Sequence, residues 1–398
     1  MRPEDNYPRY IEERVLPYIL PRREERYLSR EPGREIYCAF YTADGTVAEK
    51  NGTPKGIILI SHGFTETADK YFEVIFYFLK AGYHVCIPEH CGHGRSYRLV
   101  KGDVSLVHTD SWERYVEDLN FIALSAKQHW FQAVLNREAI SGSEPRSAAD
   151  RKGGGVSQAA LPLFLFAHSM GGGIGAALSA RKPDLFDKVI LSSPMIRPAT
   201  GPVPWQLTKL IVAVMCALGK EQEYVIGQHP YDGKETFEVS FATSPARHAW
   251  YKEKTDAEPL FQTSGASYGW LREAIRLNDF LMKKAWQQIR VPVLLIQAEK
   301  ETVVSKKQQV QFIQRLSRAA RFAADRKEGG TSKAALNREA ILGSELRPAA
   351  DRKGGGVSKA ALLQEIRFVR VPGAKHEIYR SDDQTLAKYL KGCLNFLL

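Results

Sequence analysis

The sequence predicts an α/β fold, in which a mostly parallel sheet is covered by helices on both faces. Short apolar segments rich in β-branched residues alternate along the chain with longer segments of helical periodicity. The composition is also ordinary for a globular protein, with 44% hydrophobic and 25% charged residues among 398. Disordered, collagen-like and low-complexity classes are therefore excluded. The length allows two or three domains or one large α/β domain with insertions. Because about 70 residues belong to the insertions described below, we predict a single domain spanning residues 1–398.

Six apolar segments have the length and composition of buried strands. In chain order they are residues 56–61, 83–88, 163–167, 188–192, 293–297 and 367–371. Residues 71–80, 112–127 and 171–181 lie between strands and have helical patterns. The stretch from Asp110 to Glu113 resembles a capping box at the start of the second of these helices. Strands that alternate with helices in this way form a parallel sheet.

Two nearly identical segments interrupt this alternation. Residues 133–161 and 334–362 differ at only five of 29 positions, and both contain a Gly-Gly-Gly run and few large apolar residues. Copies so far apart in sequence do not stack as a solenoid does. We interpret residues 133–160 and 320–362 as low-complexity repeat insertions at the surface, with a paired recognition arm as the alternative. Each follows a helix and precedes a strand, at the sheet edge opposite the ligand-binding edge.

Cysteine usage and charge bear on location and partners. The five cysteines are an odd, sparse set, which is typical of reduced thiols in a cytoplasmic protein. We find neither a signal peptide nor an apolar run long enough to span a membrane. The net charge of +11 permits attraction to an anionic surface, and no nucleic-acid motif is present. We therefore expect a cytoplasmic protein with peripheral contact to an anionic membrane at its inner face, and no nucleic-acid partner.

The strongest motif follows the strand at residues 163–167. Its sequence is Ala167-His168-Ser169-Met170-Gly171, a serine with small residues two positions away on each side and a helix after it. This is the pattern of a nucleophile elbow, whose tight turn lifts the serine hydroxyl clear of the sheet. We predict that Ser169 is the nucleophile and that the N–H of Met170 is one oxyanion donor. The alternative is a glycine-rich turn without chemistry.

A serine nucleophile needs a base, and the base needs an acid to orient it. In this strand order the acid precedes the histidine along the chain. His376 follows the last predicted strand and is the only histidine after His248. Glu299 and Glu301 both follow the strand at residues 293–297, and we favour Glu301 as the acid.

The second oxyanion donor should come from the loop after the first predicted strand. The backbone N–H of Phe64 is the natural donor there, and His62 is better interpreted as structural than as catalytic. His90, Cys91 and His93 are candidate metal ligands, but no second ligand cluster with zinc-site spacing accompanies them. We therefore predict no metal and no cofactor.

Together these motifs resemble the α/β-hydrolase superfamily, and within it the monoacylglycerol lipase and bacterial lysophospholipase L2 group. The matching stretches are His62-Gly63-Phe64, residues 92–96, 168–172, 297–301 and 373–377, and they span residues 56 to about 390. The resemblance implies a catalytic triad of Ser169, Glu301 and His376. Glu301 occupies the position where the family usually has aspartate.

The resemblance also implies that residues 195–288 form a helical cap over the active site. This segment is too long for one crossover between the strands at 188–192 and 293–297. It contains apolar helical patterns at residues 205–218 and 268–284. An apolar lid would hold an acyl chain and shield the reaction from water. The alternative for residues 205–218 is an ordinary buried helix.

The function implied is that of a serine carboxylester hydrolase that cleaves lysophospholipids or monoacylglycerols, so the partner expected is a small lipid or ester substrate. One alternative is a proline iminopeptidase-like or other small-ester hydrolase. A peptidase would need an anionic pocket for the substrate's amino terminus, and acidic residues for it occur at Glu221, Glu223, Asp232 and Glu235. A non-catalytic ligand-binding protein is a third hypothesis, against which the intact serine, acid and histidine argue.

Overall fold

The computed structural model describes residues 3–44, 54–140, 161–327 and 365–398. The strands in these ranges are β1 (Arg23–Ser29), β2 (Glu35–Tyr41), β3 (Gly56–Ser61), β4 (Tyr83–Pro88), β5 (Leu106–Val107), β6 (Leu163–His168), β7 (Lys188–Ser192), β8 (Gly265–Ala266), β9 (Val293–Ala298) and β10 (Ile366–Val371). Within the described ranges, eight of them form one sheet in the order β1-β2-β4-β3-β6-β7-β9-β10. The short strands β5 and β8 pair with each other.

The helices of the same ranges are α1 (Tyr7–Tyr10), α2 (Leu16–Ile19), α3 (Phe72–Lys80), α4 (Trp112–Ile140), α5 (Ser169–Arg181), α6 (Trp205–Ala217), α7 (Pro245–Ala257), α8 (Tyr268–Lys283), α9 (Lys306–Lys327) and α10 (Asp383–Leu397). A π-helical turn at Ile11–Val15 joins α1 to α2. Apart from the amino-terminal part of the chain, helices follow strands in the alternating order that the sequence predicts.

The prediction of a mostly parallel sheet covered by helices is confirmed. Strands β3, β4, β6, β7, β9 and β10 pair in parallel, and all six predicted strands are present within one residue of their expected ends. The first two strands of the sheet are additional and antiparallel. The sequence of β1, REERYLS, has only half-buried or exposed positions, as suits an edge strand.

One predicted helix is longer than expected, and one helix had no predicted range. Helix α4 continues to Ile140 instead of ending near residue 127, and α9 extends from Lys306 to Lys327. The first residues of both predicted insertions, 133–140 and 320–327, therefore extend these helices. Residues 141–160 and 328–362 lie outside the described residues, so the insertions remain a prediction. The strands that follow these helices, β6 and β10, are part of the parallel sheet. Both therefore begin at the edge of the sheet opposite the one where β6 ends and Ser169 lies.

The start of α4 differs from the predicted capping box. The Oγ of Ser111 accepts the backbone N–H of Glu113 at 3.1 Å, so serine caps this helix instead of Asp110. The carboxylate of Asp110 pairs with the guanidinium of Arg114, with oxygen-to-nitrogen distances of 2.6 Å. The prediction that Asp110 caps the helix was wrong because an arginine one turn later competes for its carboxylate.

The core has one apolar layer on each face of the sheet. Helices α4, α5, α8 and α9 contribute to the first layer. The second contains residues of α1, α3, α7 and α10. Helix α7 therefore packs on the body, although it lies inside the range predicted as cap. Its buried Arg247 donates to the carboxylate of Glu73 on α3 and to that of Asp383 on α10, with shortest distances of 2.7 Å to each.

Helix α6 is the apolar part of the predicted cap that remains exposed. Only Thr208 and Val212 of its residues are buried. Leu207, Leu210 and Val214 are 47%, 60% and 48% exposed, so the alternative of an ordinary buried helix is wrong. In the described ranges, none of the helices combines the length and the hydropathy that crossing a bilayer requires.

Candidate active site

Ser169 stands at the sharp turn between β6 and α5. Its φ of +50° lies in the left-handed region, which costs a residue with a side chain about 1–3 kcal/mol. The neighbouring glycines are required by close packing: a Cβ on Gly171 would lie 2.2 Å from the carbonyl oxygen of Ser61, and one on Gly172 would lie 2.7 Å from Pro194. The turn therefore holds the serine hydroxyl at the carboxyl end of the sheet.

The structure brings His376 and Glu301 to this serine. The Nε2 atom of His376 lies 2.7 Å from the Oγ of Ser169, and its Nδ1 lies 2.7 Å from Oε2 of Glu301. His376 comes from the segment after β10, and Glu301 from the segment after β9. All three side chains are buried. Three residues far apart in sequence thus form one continuous hydrogen-bonded chain.

Glu301 is held as a carboxylate. Its Oε1 accepts the backbone N–H groups of Val303 at 2.9 Å and Val304 at 3.2 Å. Burial alone would raise the pKa of Glu301, but the bond to His376 and these two N–H groups outweigh burial and lower it. The other candidate, Glu299, accepts the N–H of Gly373 at 2.8 Å in an exposed position. Of the two candidate acids, the structure places Glu301 beside the histidine.

The two residues predicted to supply the oxyanion donors are Met170 and Phe64. Met170 follows Ser169 directly and is buried at the start of α5. Phe64 lines the same cavity as Ser169, and its ring lies 4.5 Å from that of Trp270. The loop around Phe64 is tight, because the next residue, Thr65, has a φ of +58°.

His62 supports this loop from behind. Its Nδ1 lies 2.8 Å from the carbonyl oxygen of Gly63, and its Nε2 accepts the N–H of His90 at 2.8 Å. Burial lowers the pKa of His62 to about 4, so the imidazole is neutral. These contacts support a structural role.

The side chains considered as candidate metal ligands contact other groups of the protein. His90 Nε2 lies 2.9 Å from the Oγ of Ser61, and His93 Nδ1 lies 3.0 Å from the carbonyl oxygen of Cys91. In the part of the chain that the structure describes, no cluster of three or more histidine, cysteine, aspartate or glutamate side chains could hold a metal ion.

Sequence reasoning missed a buried charged group next to the histidine. The Nζ of Lys70 lies 2.6 Å from Glu377 and 3.4 Å from Glu66, and all three side chains are less than 10% exposed. The sequence contained one local signal, because Glu66 and Lys70 are four residues apart. The partner that completes the group lies 307 residues from Lys70.

A cavity of about 430 Å³ opens on Ser169 and Phe64. Apolar side chains make up most of its remaining wall, among them Met195, Pro198, Val203, Ile211, Val212, Val225, Ile226, Leu271, Val303 and Val304. Among the described residues that line it, none carries a charge. The four acids suggested for an amino-terminus pocket, Glu221, Glu223, Asp232 and Glu235, do not line it. The cavity suits an acyl chain better than a charged amino terminus.

Comparison with known families agrees with this geometry. The family described as serine aminopeptidase, S33, matches residues 52–135 and 154–327, well over half of the chain. The chain belongs to this family. It is accordingly a hydrolase of the α/β-hydrolase superfamily, as the motifs had indicated.

Relatives at modest identity include a monoacylglycerol lipase and a lysophospholipase. The monoacylglycerol lipase of Mycolicibacterium smegmatis is 26% identical over 252 residues, which cover 63% of this chain and 72% of that protein. Lysophospholipase L2 of Escherichia coli K12 is 25% identical over 261 residues, or 64% of this chain and 66% of that protein. The aligned part is thus about two thirds of each relative.

Solved structures share the fold. A soluble variant of the monoglyceride lipase of Saccharomyces cerevisiae, in complex with a substrate analog, has a TM-score of 0.58 at 16% identity, with 94% of each chain covered. A thermostable carboxyl esterase of Bacillus coagulans, in complex with glycerol, has a TM-score of 0.56 at 16% identity, with 94% of this chain and 97% of that chain covered. At these identities the likeness shows the α/β-hydrolase fold alone.

Proposed function

We propose that this protein is a serine carboxylester hydrolase that cleaves monoacylglycerols or lysophospholipids through an acyl-enzyme on Ser169. One observation carries the proposal. The hydrogen-bonded chain from Ser169 through His376 to Glu301 opens on an apolar cavity whose described walls carry no charge. The named relatives, a monoacylglycerol lipase and a lysophospholipase, support the substrate class.

Acylation begins at the serine. His376 accepts the Ser169 proton on Nε2 while Oγ attacks the ester carbonyl, and the carbonyl oxygen becomes an oxyanion. The N–H groups of Phe64 and Met170 stabilise that oxyanion. His376 then donates the proton to the leaving alcohol oxygen, and the acyl group stays on Ser169. Water, deprotonated by His376, releases the fatty acid by the same route.

Glu301 orients the base and stabilises its charged form. Its Oε2 accepts the Nδ1 proton of His376, which fixes the tautomer that leaves Nε2 free to accept a proton from serine. Two backbone N–H groups hold the other oxygen, so the longer glutamate arm is fixed at both ends.

The peptidase alternative is less well supported. A free amino terminus needs a carboxylate near the scissile bond that is not already neutralised. Glu301 is bonded to His376, and the other two buried carboxylates of this region, Glu66 and Glu377, are both paired with Lys70. The wall of the cavity contacts acyl chains favourably but offers no charge to an ammonium group.

We also propose that this enzyme is a peripheral protein on the cytoplasmic side of an anionic membrane. The exposed apolar residues of α6, Leu207, Leu210 and Val214, lie on the helix that contributes Thr208, Ile211 and Val212 to the cavity wall. The net charge of +11 favours anionic lipid. The double variant Leu207→Ser/Leu210→Ser should bind less to phosphatidylglycerol vesicles in co-sedimentation and keep its turnover of short soluble esters. Unchanged vesicle binding would contradict the membrane proposal.

The function is tested with wild type and Ser169→Ala on matched substrates. The panel contains monoacylglycerols, lysophospholipids and short p-nitrophenyl esters, with proline p-nitroanilide as the peptidase substrate. We expect fatty-acid release by the wild type and none by Ser169→Ala. Release of p-nitroaniline with no fatty-acid release would replace the proposal by the peptidase function.

A further inference from the structure

We infer that Glu66 is a positioning residue for the proposed reaction, because its carboxylate fixes the loop that carries the Phe64 N–H to the segment that carries His376. The inference rests on the proposed function, since it assigns a residue to that same reaction. No role for this carboxylate follows from the triad itself, and Glu66 touches none of its three members.

Each oxygen of Glu66 bonds to one of the two segments. Oε2 accepts the backbone N–H of Gly63 at 2.6 Å, one residue before the oxyanion donor. Oε1 accepts the hydroxyl of Tyr379 at 2.7 Å, three residues after the histidine. Glu66 is only 2% exposed, so water does not compete for these bonds. One buried carboxylate thus sets the distance between the oxyanion loop and the base.

The oxyanion loop needs such a support because its backbone is strained. Thr65 has a φ of +58°, which is unfavourable for a β-branched residue. Gly63 packs so closely that a Cβ there would lie 2.9 Å from Oε2 of Glu66 and 3.0 Å from Cδ2 of His168. Without the carboxylate, the loop can relax and move the Phe64 N–H away from the position where the oxyanion develops.

The scaffold holds Glu66 ionised and in place. Tyr71, at the start of α3, donates its hydroxyl to Oε2 at 2.6 Å, and Lys70 lies 3.4 Å from Oε1. Burial raises the pKa of Glu66, but the charge of Lys70 and the bonds from the two tyrosines outweigh it and hold the pKa well below its usual range. The carboxylate therefore accepts four hydrogen bonds, two of them from Lys70 and Tyr71 in the turn before α3 and one from each of the two segments it joins.

This placement affects the transition state more than substrate binding. The acyl chain contacts the apolar cavity, whereas the Phe64 N–H matters most when negative charge develops on the carbonyl oxygen. A displaced donor should therefore lower kcat and leave KM nearly unchanged. A trifluoromethyl ketone with the same acyl chain forms a tetrahedral oxyanion on serine, so its binding should weaken by the same factor as kcat/KM.

The test compares Glu66→Gln with Glu73→Gln, measured on a p-nitrophenyl ester and with the trifluoromethyl ketone. Glu73 is a matched control because its buried carboxylate is also paired, with Arg247 and Tyr7, but contacts neither segment. For Glu66→Gln we expect kcat and ketone affinity to fall about tenfold to a hundredfold, with KM within about twofold. For Glu73→Gln we expect a lower Tm with kcat and ketone affinity unchanged.

A second pair keeps the inference testable if Glu66→Gln does not fold. Tyr379→Phe removes only the hydroxyl that joins Glu66 to the histidine segment, and we expect kcat to fall severalfold. Tyr389→Phe is its control, since that hydroxyl bonds to Ser192 at 2.8 Å and should not affect kcat.

The positioning role would be overturned if kcat were unchanged in both Glu66→Gln and Tyr379→Phe, or if the control variants lost as much kcat as these two. In either case the proposed function would stand as long as wild type hydrolyses the ester and Ser169→Ala does not. Equal hydrolysis by wild type and Ser169→Ala would overturn the proposed function and this role together.

Discussion

The histidines around the site predict a steep loss of stability in mild acid. His62, His90, His93 and His168 are all buried. Burial lowers the pKa of His62 and of His168 to about 4, and lowers those of His90 and His93 well below 6.5. As the pH falls through 6.5, the unfolded chain binds protons at these four positions before the folded protein does. Their contribution to stability is therefore complete above about pH 6.5 and is lost towards pH 4.

One buried acid acts in the opposite direction. Burial raises the pKa of Glu89 from 4.5 to about 7, so the folded protein binds that proton first as the pH falls. Near pH 5 the unfolded state therefore binds about three more protons than the folded state at the four histidines and Glu89 taken together. Each proton contributes about 1.4 kcal/mol per pH unit. These five groups should thus lower the free energy of unfolding by about 4 kcal/mol per pH unit between pH 6 and pH 5.

The assay is urea unfolding at a series of pH values, with the free energy of unfolding plotted against pH. His168→Leu removes one of these histidines, whose ring nitrogens form no hydrogen bond with a described residue and whose Nε2 lies 3.5 Å from Oε1 of Glu66. Its slope should be smaller by about 1.4 kcal/mol per pH unit. The same comparison at pH 8 gives the packing cost of the substitution. A flat or inverted wild-type profile between pH 5 and pH 6 would show that these buried histidines do not destabilise the folded protein in mild acid.

Three further predictions follow from contacts in the structure. Gly171→Ala should prevent folding or lower the Tm strongly, because the new Cβ meets a backbone carbonyl at 2.2 Å; Gly175→Ala, which meets a leucine side chain at 2.6 Å, should lower the Tm less. Glu301→Gln should lower kcat about 10⁴-fold, because the amide favours the histidine tautomer that cannot accept the serine proton. Glu299→Gln should leave kcat unchanged, and steady-state kinetics of the two variants tests the difference. Arg247→Met should cost about 3–5 kcal/mol in urea unfolding by leaving buried carboxylates unpaired, with kcat unchanged, and an undiminished free energy of unfolding would contradict it.

The buried strands were predictable because both faces of each are covered. A strand such as β3, with six buried residues in succession, appears in the sequence as a continuous apolar run. Strand β1 gave no such signal, because it lies at the sheet edge and carries four charged residues among seven. Helix α6 was ambiguous for a different reason. Its apolar residues fit either a buried helix or an exposed lid, and only the neighbouring elements decide which side chains are covered.

The arrangement of Ser169, Glu301 and His376 was predictable because each follows a strand whose carboxyl end lies at the same edge of the sheet. The choice between Glu299 and Glu301 required the structure, since both follow β9 within three residues. The group of Glu66, Lys70 and Glu377 was not predictable. Its members become a unit only when the turn before α3, which carries Lys70, meets the segment after β10, and sequence spacing carries no trace of that contact.

We propose that Ser169 forms a covalent acyl-enzyme during turnover. The most direct measurement is mass spectrometry of the protein after reaction with a fluorophosphonate, followed by proteolysis to locate the adduct. We predict one adduct, on the peptide that contains Ser169, and none in Ser169→Ala or His376→Ala. An adduct on another residue, or no adduct on the folded wild type, would contradict the claim.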